Sequence, residues 1–303
     1  MNPLPYRDFN TYLRELFGCR VQKITVDAGL TCPNRDGTLG RSGCIYCNAR
    51  GSGTGAHARG LSITEQIRSS HRYVARRYKA RKFLVYFQSF SNTYAPLDLL
   101  RRIYDEALAA VDDIVGLSIG TRPDCVDDGV LSLLGGYALD RLVWVEYGLQ
   151  SAHDDTLRRI HRGHDFACFR RAVAETRGRG IRICAHVILG LPGEGRAEMM
   201  ETARAVAGLG LDGIKLHLLY VVKGTALERI YRAGGYRCLE ADEYVDLVCE
   251  FLEYLPPEMV VQRLTGDPHP GELVAPRWAL ERTTLQRIRE TMAATGRFQG
   301  RRF

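Results

Sequence analysis

Long apolar runs are missing from this sequence. None approaches the roughly 18–20 consecutive apolar residues that a membrane helix needs, which argues against a membrane partner. The opening Met1-Asn2-Pro3-Leu4-Pro5-Tyr6 lacks the basic-then-apolar order of a secretory signal. The expected location is therefore cytoplasmic. Low-complexity stretches and composition breaks are also missing, so the expectation is one domain over residues 1–303. Its core would cover about 20–265, with a short N-terminal extension and a C-terminal one over 266–303. Lysine is scarce, since 37 of the 42 basic residues are arginine. Cysteine is not scarce: there are nine. The number is odd and the spacings do not suggest a disulfide scaffold. In a reducing compartment such a set points to metal or redox chemistry plus buried thiols.

The formal net charge is +7, and hydrophobic and charged contents of 45% and 25% are ordinary for a globular chain. Basic residues concentrate in two places. One is Arg68, His71, Arg72, Arg76, Arg77, Lys79, Arg81 and Lys82; the other is Arg297, Arg301 and Arg302, with Phe298 and Phe303. Such patches suit RNA or another polyanion. A solvated helix face is the competing explanation.

Apolar runs rich in β-branched residues recur along the chain: Val21–Val26, Phe83–Phe87, Ile114–Ile119, Leu142–Tyr147, Ile181–Leu189, Ile214–Tyr220 and Met259–Leu264. Amphipathic segments alternate with them: Thr64–Lys79, Pro96–Ala110, Asp127–Gly135, Asp154–Ile160, Phe166–Arg179, Ala197–Leu209 and Ala241–Tyr254. Strand and helix alternating at this spacing predict βαβ units and a parallel sheet. The expected class is α/β, as a partial (β/α)6-type barrel. A flat doubly wound sheet would give a similar string and stays open as the alternative.

The most informative stretch lies just after the first strand. It reads Thr31-Cys32-Pro33-Asn34-Arg35-Asp36-Gly37 and continues to Gly43-Cys44-Ile45-Tyr46-Cys47, a C-x11-C-x2-C spacing. In a barrel that place is the C-terminal edge of the strands, where active sites assemble. Two thiolates three residues apart can reach neighbouring metal atoms from one turn, and a Gly-rich loop delivers the third. An iron–sulfur cluster of four irons normally takes four cysteines. Three leave one iron open to a small molecule. Zinc would need a fourth ligand, for which Cys19 or His57 is available. Cys125, Cys168, Cys184, Cys238 and Cys249 form no second signature and read as buried or incidental.

On these residues the chain resembles the radical S-adenosylmethionine (SAM) superfamily, in its YhcC-like, Elp3-related family, over about residues 6–265. The resemblance implies a [4Fe–4S] cluster held by Cys32, Cys44 and Cys47, with SAM bound to the open iron. It implies an electron donor, reductive cleavage of SAM, and a 5′-deoxyadenosyl radical that takes hydrogen from the substrate. By position it also implies SAM contacts at Gln88 and Ser89, where the usual Gly-Gly-Glu-like motif is replaced. Further contacts are implied at Thr121, Arg122, Glu146, Gln150, Ser151, Gly190 and Leu191. Lys215, His217, Lys223 and Arg263 are candidate substrate contacts. His186 alternates with them and reads as a satisfied core histidine. Glu146 lies in an apolar strand and is costly to bury unpaired; Arg122 is its expected partner.

The family kinship and the basic patches suggest tRNA as partner and wobble uridine as the modified group. The acetyltransferase domain that Elp3 carries has no counterpart in the roughly 40 residues after Arg263, so acetyl transfer is not implied. Radical chemistry on a small molecule or protein is the alternative. From another class, so is a non-catalytic zinc or Fe–S RNA-binding module.

Overall fold

The computed structural model describes residues 4–51 and 56–303. The strands are β1 (Val21–Val26), β2 (Lys82–Phe87), β3 (Ile114–Thr121), β4 (Leu142–Gln150), β5 (Arg182–Leu189), β6 (Gly213–Leu218), β7 (Val221–Val222), β8 (Val260–Arg263) and β9 (Leu273–Ala275). Seven form one sheet in the order β1-β2-β3-β4-β5-β6-β8, with every neighbouring pair parallel. β7 and β9 make a small antiparallel pair.

This order decides between the two architectures left open above. A doubly wound sheet reverses direction at a switch point; here every crossover moves the same way. The two edge strands then face each other. Flat, β1 and β8 would lie six spacings or about 29 Å apart. Instead Lys23 Nζ on β1 stands 2.8 Å from Gln262 Oε1 on β8. The sheet therefore curls into a partial barrel. No ladder of backbone hydrogen bonds joins β1 to β8, so the barrel stays open.

The helices are α1 (Phe9–Phe17), α2 (Pro33–Asp36), α3 (Ile63–Tyr78), α4 (Leu97–Ala109), α5 (Asp128–Tyr137), α6 (Asp154–Arg159), α7 (Phe166–Thr176), α8 (Arg196–Ala207), α9 (Ala226–Arg232), α10 (Ala241–Glu253) and α11 (Thr284–Thr295). The capping signals are local. Ser62 and Glu65 form a reciprocal box at the start of α3 (Glu65 N to Ser62 Oγ, 3.2 Å; Ser62 N to Glu65 Oε2, 2.8 Å). α7 ends at Thr176, earlier than its pattern suggests, because Arg177 leaves helical geometry and Gly178 takes positive φ. β4 runs past its apolar stretch to Gln150, and everything after its first residue is buried.

The terminal segments are built into the barrel. At the base, where strands begin, Phe9 and Tyr12 of α1 each pack edge-on at 5.8 Å against fully buried Trp144. Asp8 bridges to Val261 beside β8. Gly266, Asp267, Pro268, His269, Glu272 and Leu273 line the cavity described next, and α11 packs against α10. Among the described residues no helix is long and apolar enough to cross a membrane.

Candidate active site

The cysteine segment leaves β1 and folds back over the strand ends through short local bonds. Cys32 caps α2, with Pro33 at the first helical position and Arg35 N bonding Cys32 O at 2.8 Å. Gly43 N reaches Asn34 O at 2.9 Å, and Cys47 N closes a turn onto Cys44 O at 2.9 Å. Ile45 ties the turn to the rest of the barrel, its N–H to Ile160 O and its carbonyl to Leu227 N.

Each thiol faces its own guanidinium. Arg122 Nη1 lies 3.9 Å from Cys32 Sγ, Arg162 Nη1 lies 3.7 Å from Cys44 Sγ, and Arg35 Nη1 lies 3.5 Å from Cys47 Sγ. Asn34 Nδ2 adds a fourth donor, 3.7 Å from Cys44 Sγ. Arg162 is nearly fully buried and is anchored by two bonds to Gly148 O, at 2.6 and 3.1 Å. A Cβ on residue 148 would lie 2.5 Å from that guanidinium and would displace it. Burial pushes the Cys47 thiol up to about 11, with the neighbouring Cys44 adding to the effect and Arg35 opposing it. Such thiols become thiolates readily only beside strong positive charge.

The donors fit an iron–sulfur cluster. Three sulfurs with three cations aimed at them suit a cofactor whose sulfur shell is anionic. Among the described residues no three His, Cys, Asp or Glu side chains are grouped to hold one metal ion. A multi-iron cluster, with its irons at separate corners, does not need ligands that converge on one point.

The three cysteines open onto a cavity of about 650 Å³ in the barrel lumen, within the 300–1,000 Å³ range of ligand sites. Of the sequence candidates, Gln88, Thr121, Arg122, Glu146, Gln150, His217 and Arg263 line it. Others do not. Ser89 is buried behind the wall, and Ser151 donates its hydroxyl to Glu194. Gly190 and Leu191 line a separate depression with Tyr236 and Leu239. It is Ile188, two residues earlier, that faces the cavity. Lys223 is exposed, and its backbone N–H bonds Glu272 O at 2.9 Å.

The expected Glu146–Arg122 pair is not formed. Arg122 is taken by Asp124, two residues on, through bonds of 2.8 and 2.7 Å. Fully buried Glu146 is met instead by Lys23 (2.5 Å), His186 (2.8 Å), Lys215 and Ser118. Burial alone would raise the Glu146 carboxyl, but Lys215, Lys23 and His186 outweigh it and hold the group well below its usual range. Burial, with Lys215 beside it, lowers His186 to about 4, so it is neutral and satisfied by Glu146, as its strand position suggested. Burial likewise lowers Lys215, to about 7, against the pull of Glu146. The Tyr86 ring lies 4.7 Å from Lys23 Nζ and 4.1 Å from Lys215 Nζ, and forms the cavity surface above them.

The two basic patches do not reach this cavity. α3 starts at the cysteine end and returns to the base, where Arg81 N bonds Arg20 O just before β1. Arg76, Arg77, Lys79 and Arg81 therefore sit at the opposite end of the barrel. Arg297, Arg301 and Arg302 are spent on Asp246, Glu250 and Glu253.

Two family models match the chain: the radical SAM superfamily over residues 32–206 and the radical SAM C-terminal domain over 211–294. The second supplies β6 and β8, so the main sheet runs unbroken across the boundary. YtqA of Bacillus subtilis (strain 168) is 43% identical over 310 residues, covering 100% of this chain and 96% of its own. YhcC of Escherichia coli (strain K12) is 43% identical over 277 residues, covering 91% and 88%. Elongator complex protein 3 of Saccharomyces cerevisiae is more distant, at 30% over 156 residues, half of this chain and 28% of that one. Among solved structures, the archaeal Elp3 of Methanocaldococcus infernus superposes with TM-score 0.71 at 14% identity. That match covers 92% of this chain, which spans 64% of the archaeal one. With these matches and the cysteine loop together, the chain belongs to the radical SAM superfamily, whose members are enzymes built on a [4Fe–4S] cluster and SAM.

Proposed function

We propose that this chain cleaves SAM reductively and directs the resulting radical at a substrate held in the same barrel lumen. The observation that carries it is the juxtaposition of Cys32, Cys44 and Cys47, each with a cationic donor, on the rim of a ligand-sized cavity. Cys32, Cys44 and Cys47 would hold the cluster, which would supply the one electron needed to cleave SAM to methionine and a 5′-deoxyadenosyl radical able to take hydrogen from the substrate. The electron comes from an external donor protein or reductant.

The residues of this chain have separate tasks in that scheme. Arg35, Arg122 and Arg162 offset the charge of the sulfurs and orient them. Gln88, Thr121 and Gln150 offer polar groups for the amino acid and ribose parts of SAM, while Ile188 offers an apolar surface for its base.

For the substrate, the similarity to Elongator complex protein 3 favours tRNA. The placement of charge favours a small molecule, because the basic part of α3 lies at the far end of the barrel and the C-terminal arginines are already paired.

The test is anaerobic reconstitution of the full chain. About four irons per chain and 5′-deoxyadenosine formed on reduction with dithionite and SAM are expected. Cys44→Ser should lose both while keeping the folded circular-dichroism spectrum. A colourless protein that takes up one zinc and makes no 5′-deoxyadenosine would sink the reading in favour of a binding module. Comparing modified nucleosides of tRNA from cells with and without the gene then decides for or against RNA.

A further inference from the structure

Resting on the reading that the lumen receives the substrate, we propose that its β6–β8 wall is a subsite for an anionic group of a small-molecule substrate, a carboxylate or phosphate, bound by Arg263 and His217.

The register builds the site. His186, Lys215 and Arg263 are paired neighbours on β5, β6 and β8, so they stand in one row across the sheet. His217 lies two residues beyond Lys215 on the same face, and both Arg263 and His217 line the cavity.

The other cations around the lumen are already committed, and Asp267 is an acid on the same lining. Arg122 is held by Asp124, and Arg35 and Arg162 point at sulfur. Arg50 pairs with Glu272 at 2.9 Å, and Glu272 also accepts from Asn48. Lys23 and Lys215 share the single carboxylate of Glu146. Arg263 has no hydrogen bond or ion pair among the described residues, though it faces the cavity. With Lys23 and Lys215 held by Glu146, Arg263 is the cation this wall presents to the lumen.

His217 supplies the second observation. Its Nε2 is buried and has no hydrogen-bond partner. Burial, with the cations around it, keeps the ring neutral. A neutral imidazole has one N–H, and with the hydrogen on Nε2 it donates to an oxyanion. The Arg263 fork suits two oxygens of one carboxylate or phosphate. A cationic or wholly apolar ligand would leave both groups unsatisfied.

Isothermal titration of the reconstituted full chain with inorganic phosphate and with succinate tests this, using wild type, Arg263→Gln, Arg263→Lys and the surface control Arg277→Gln. Wild type and Arg277→Gln should bind at least one probe with equal affinity. Arg263→Gln should weaken it at least tenfold, and Arg263→Lys should recover part of the loss. The stronger probe assigns the oxyanion. Wild type binding neither probe, or Arg263→Gln binding as wild type does, overturns the proposal. So does a tenfold loss of SAM affinity in Arg263→Gln, which would give the wall to the cofactor. So does tRNA displacing the probe from both wild type and Arg277→Gln, which would give the wall to RNA. Absence of 5′-deoxyadenosine formation would refute the radical reading alone, because oxyanion binding is read without it.

Discussion

Two cationic clusters face the lumen, but they are built differently. On the cysteine wall, Arg35, Arg122 and Arg162 each reach one sulfur. In a second cluster, Lys23 of β1, His186 of β5 and Lys215 of β6 converge on one carboxylate, Glu146 of β4. The first set needs a cofactor to complete its charge balance. The second is largely balanced by the protein itself and holds the barrel's curvature, since its members come from β1, β4, β5 and β6. Charge at the cysteines is therefore a functional device, whereas in the Glu146 cluster it is structural and leaves Arg263 as the cation for a ligand. The contrast can be attacked from either side.

The largest effect is expected from Glu146. Replacing it with Gln leaves two lysines buried beside Tyr86 without a counter-charge. Breaking a buried ion pair from one side costs about 3–5 kcal/mol. Urea unfolding at pH 6 should show that loss, and Lys23→Met in the Glu146→Gln background should restore part of it. A cost under about 1 kcal/mol would mean the network does not brace the barrel.

The matching attack on the cysteine wall should spare stability and alter redox behaviour. Arg162→Met removes a donor from Cys44, and Gly148→Ala displaces the same guanidinium by occupying its space. Both proteins should bind iron. Their clusters should reduce at more negative potential, by an amount on the order of tens of millivolts, because a positive charge near sulfur favours the reduced state. Redox titration followed by electron paramagnetic resonance measures it. Unchanged potentials in both variants would make Arg162 a packing residue only.

A smaller, pH-dependent effect should mark Lys215. Burial lowers its pKa in the folded chain to about 7, from the usual 10.5 of a lysine. Between these values the unfolded chain binds a proton that the folded chain has released. Stability contributed through this group therefore rises with pH over that window, by at most about 1.4 kcal/mol per pH unit. The groups around it are Glu146, Lys23, Cys184 and Arg263. Relative to Lys215→Met, the wild type should gain stability between pH 7 and 10. A flat difference would show that Glu146 keeps Lys215 charged throughout.

Much of this molecule is legible from sequence, for definable reasons. Strands were readable because a parallel barrel buries them on both faces, leaving continuous apolar runs such as Leu142–Tyr147. The cysteine loop was readable because its chemistry is concentrated in sixteen consecutive residues, Cys32 to Cys47. What stayed hidden depends on distant contacts. Arg162 sits in a loop between α6 and α7, and its sulfur partner is 118 residues away. The available signals were indirect: the glycines at 148 and 163, whose missing side chains make room for Arg162 and Asn34. Lys23, one of only five lysines, interrupts β1 and points to a buried acid. Arg122 does not reach Glu146 because it finds a carboxylate, Asp124, only two residues away, and a local pairing forms at less entropic cost.

The smallest expected effect concerns the basic stretch of α3, and it tests whether charge outside both cationic clusters matters. The βα rule sends this helix from the strand tips back to the base, so Arg72, Arg76 and Arg77 drift away from the lumen as the chain proceeds. Replacing all three with Gln should leave iron content and 5′-deoxyadenosine formation unchanged. If RNA nevertheless binds that end, the triple variant should lower the slope of log affinity against log salt by up to about 2–3 for tRNA. An unchanged slope would identify the stretch as a solvated helix face. A drop in 5′-deoxyadenosine formation would be more damaging, because it would couple the base of the barrel to its chemistry through a path that the packing of α3 on β1 and α4 does not supply.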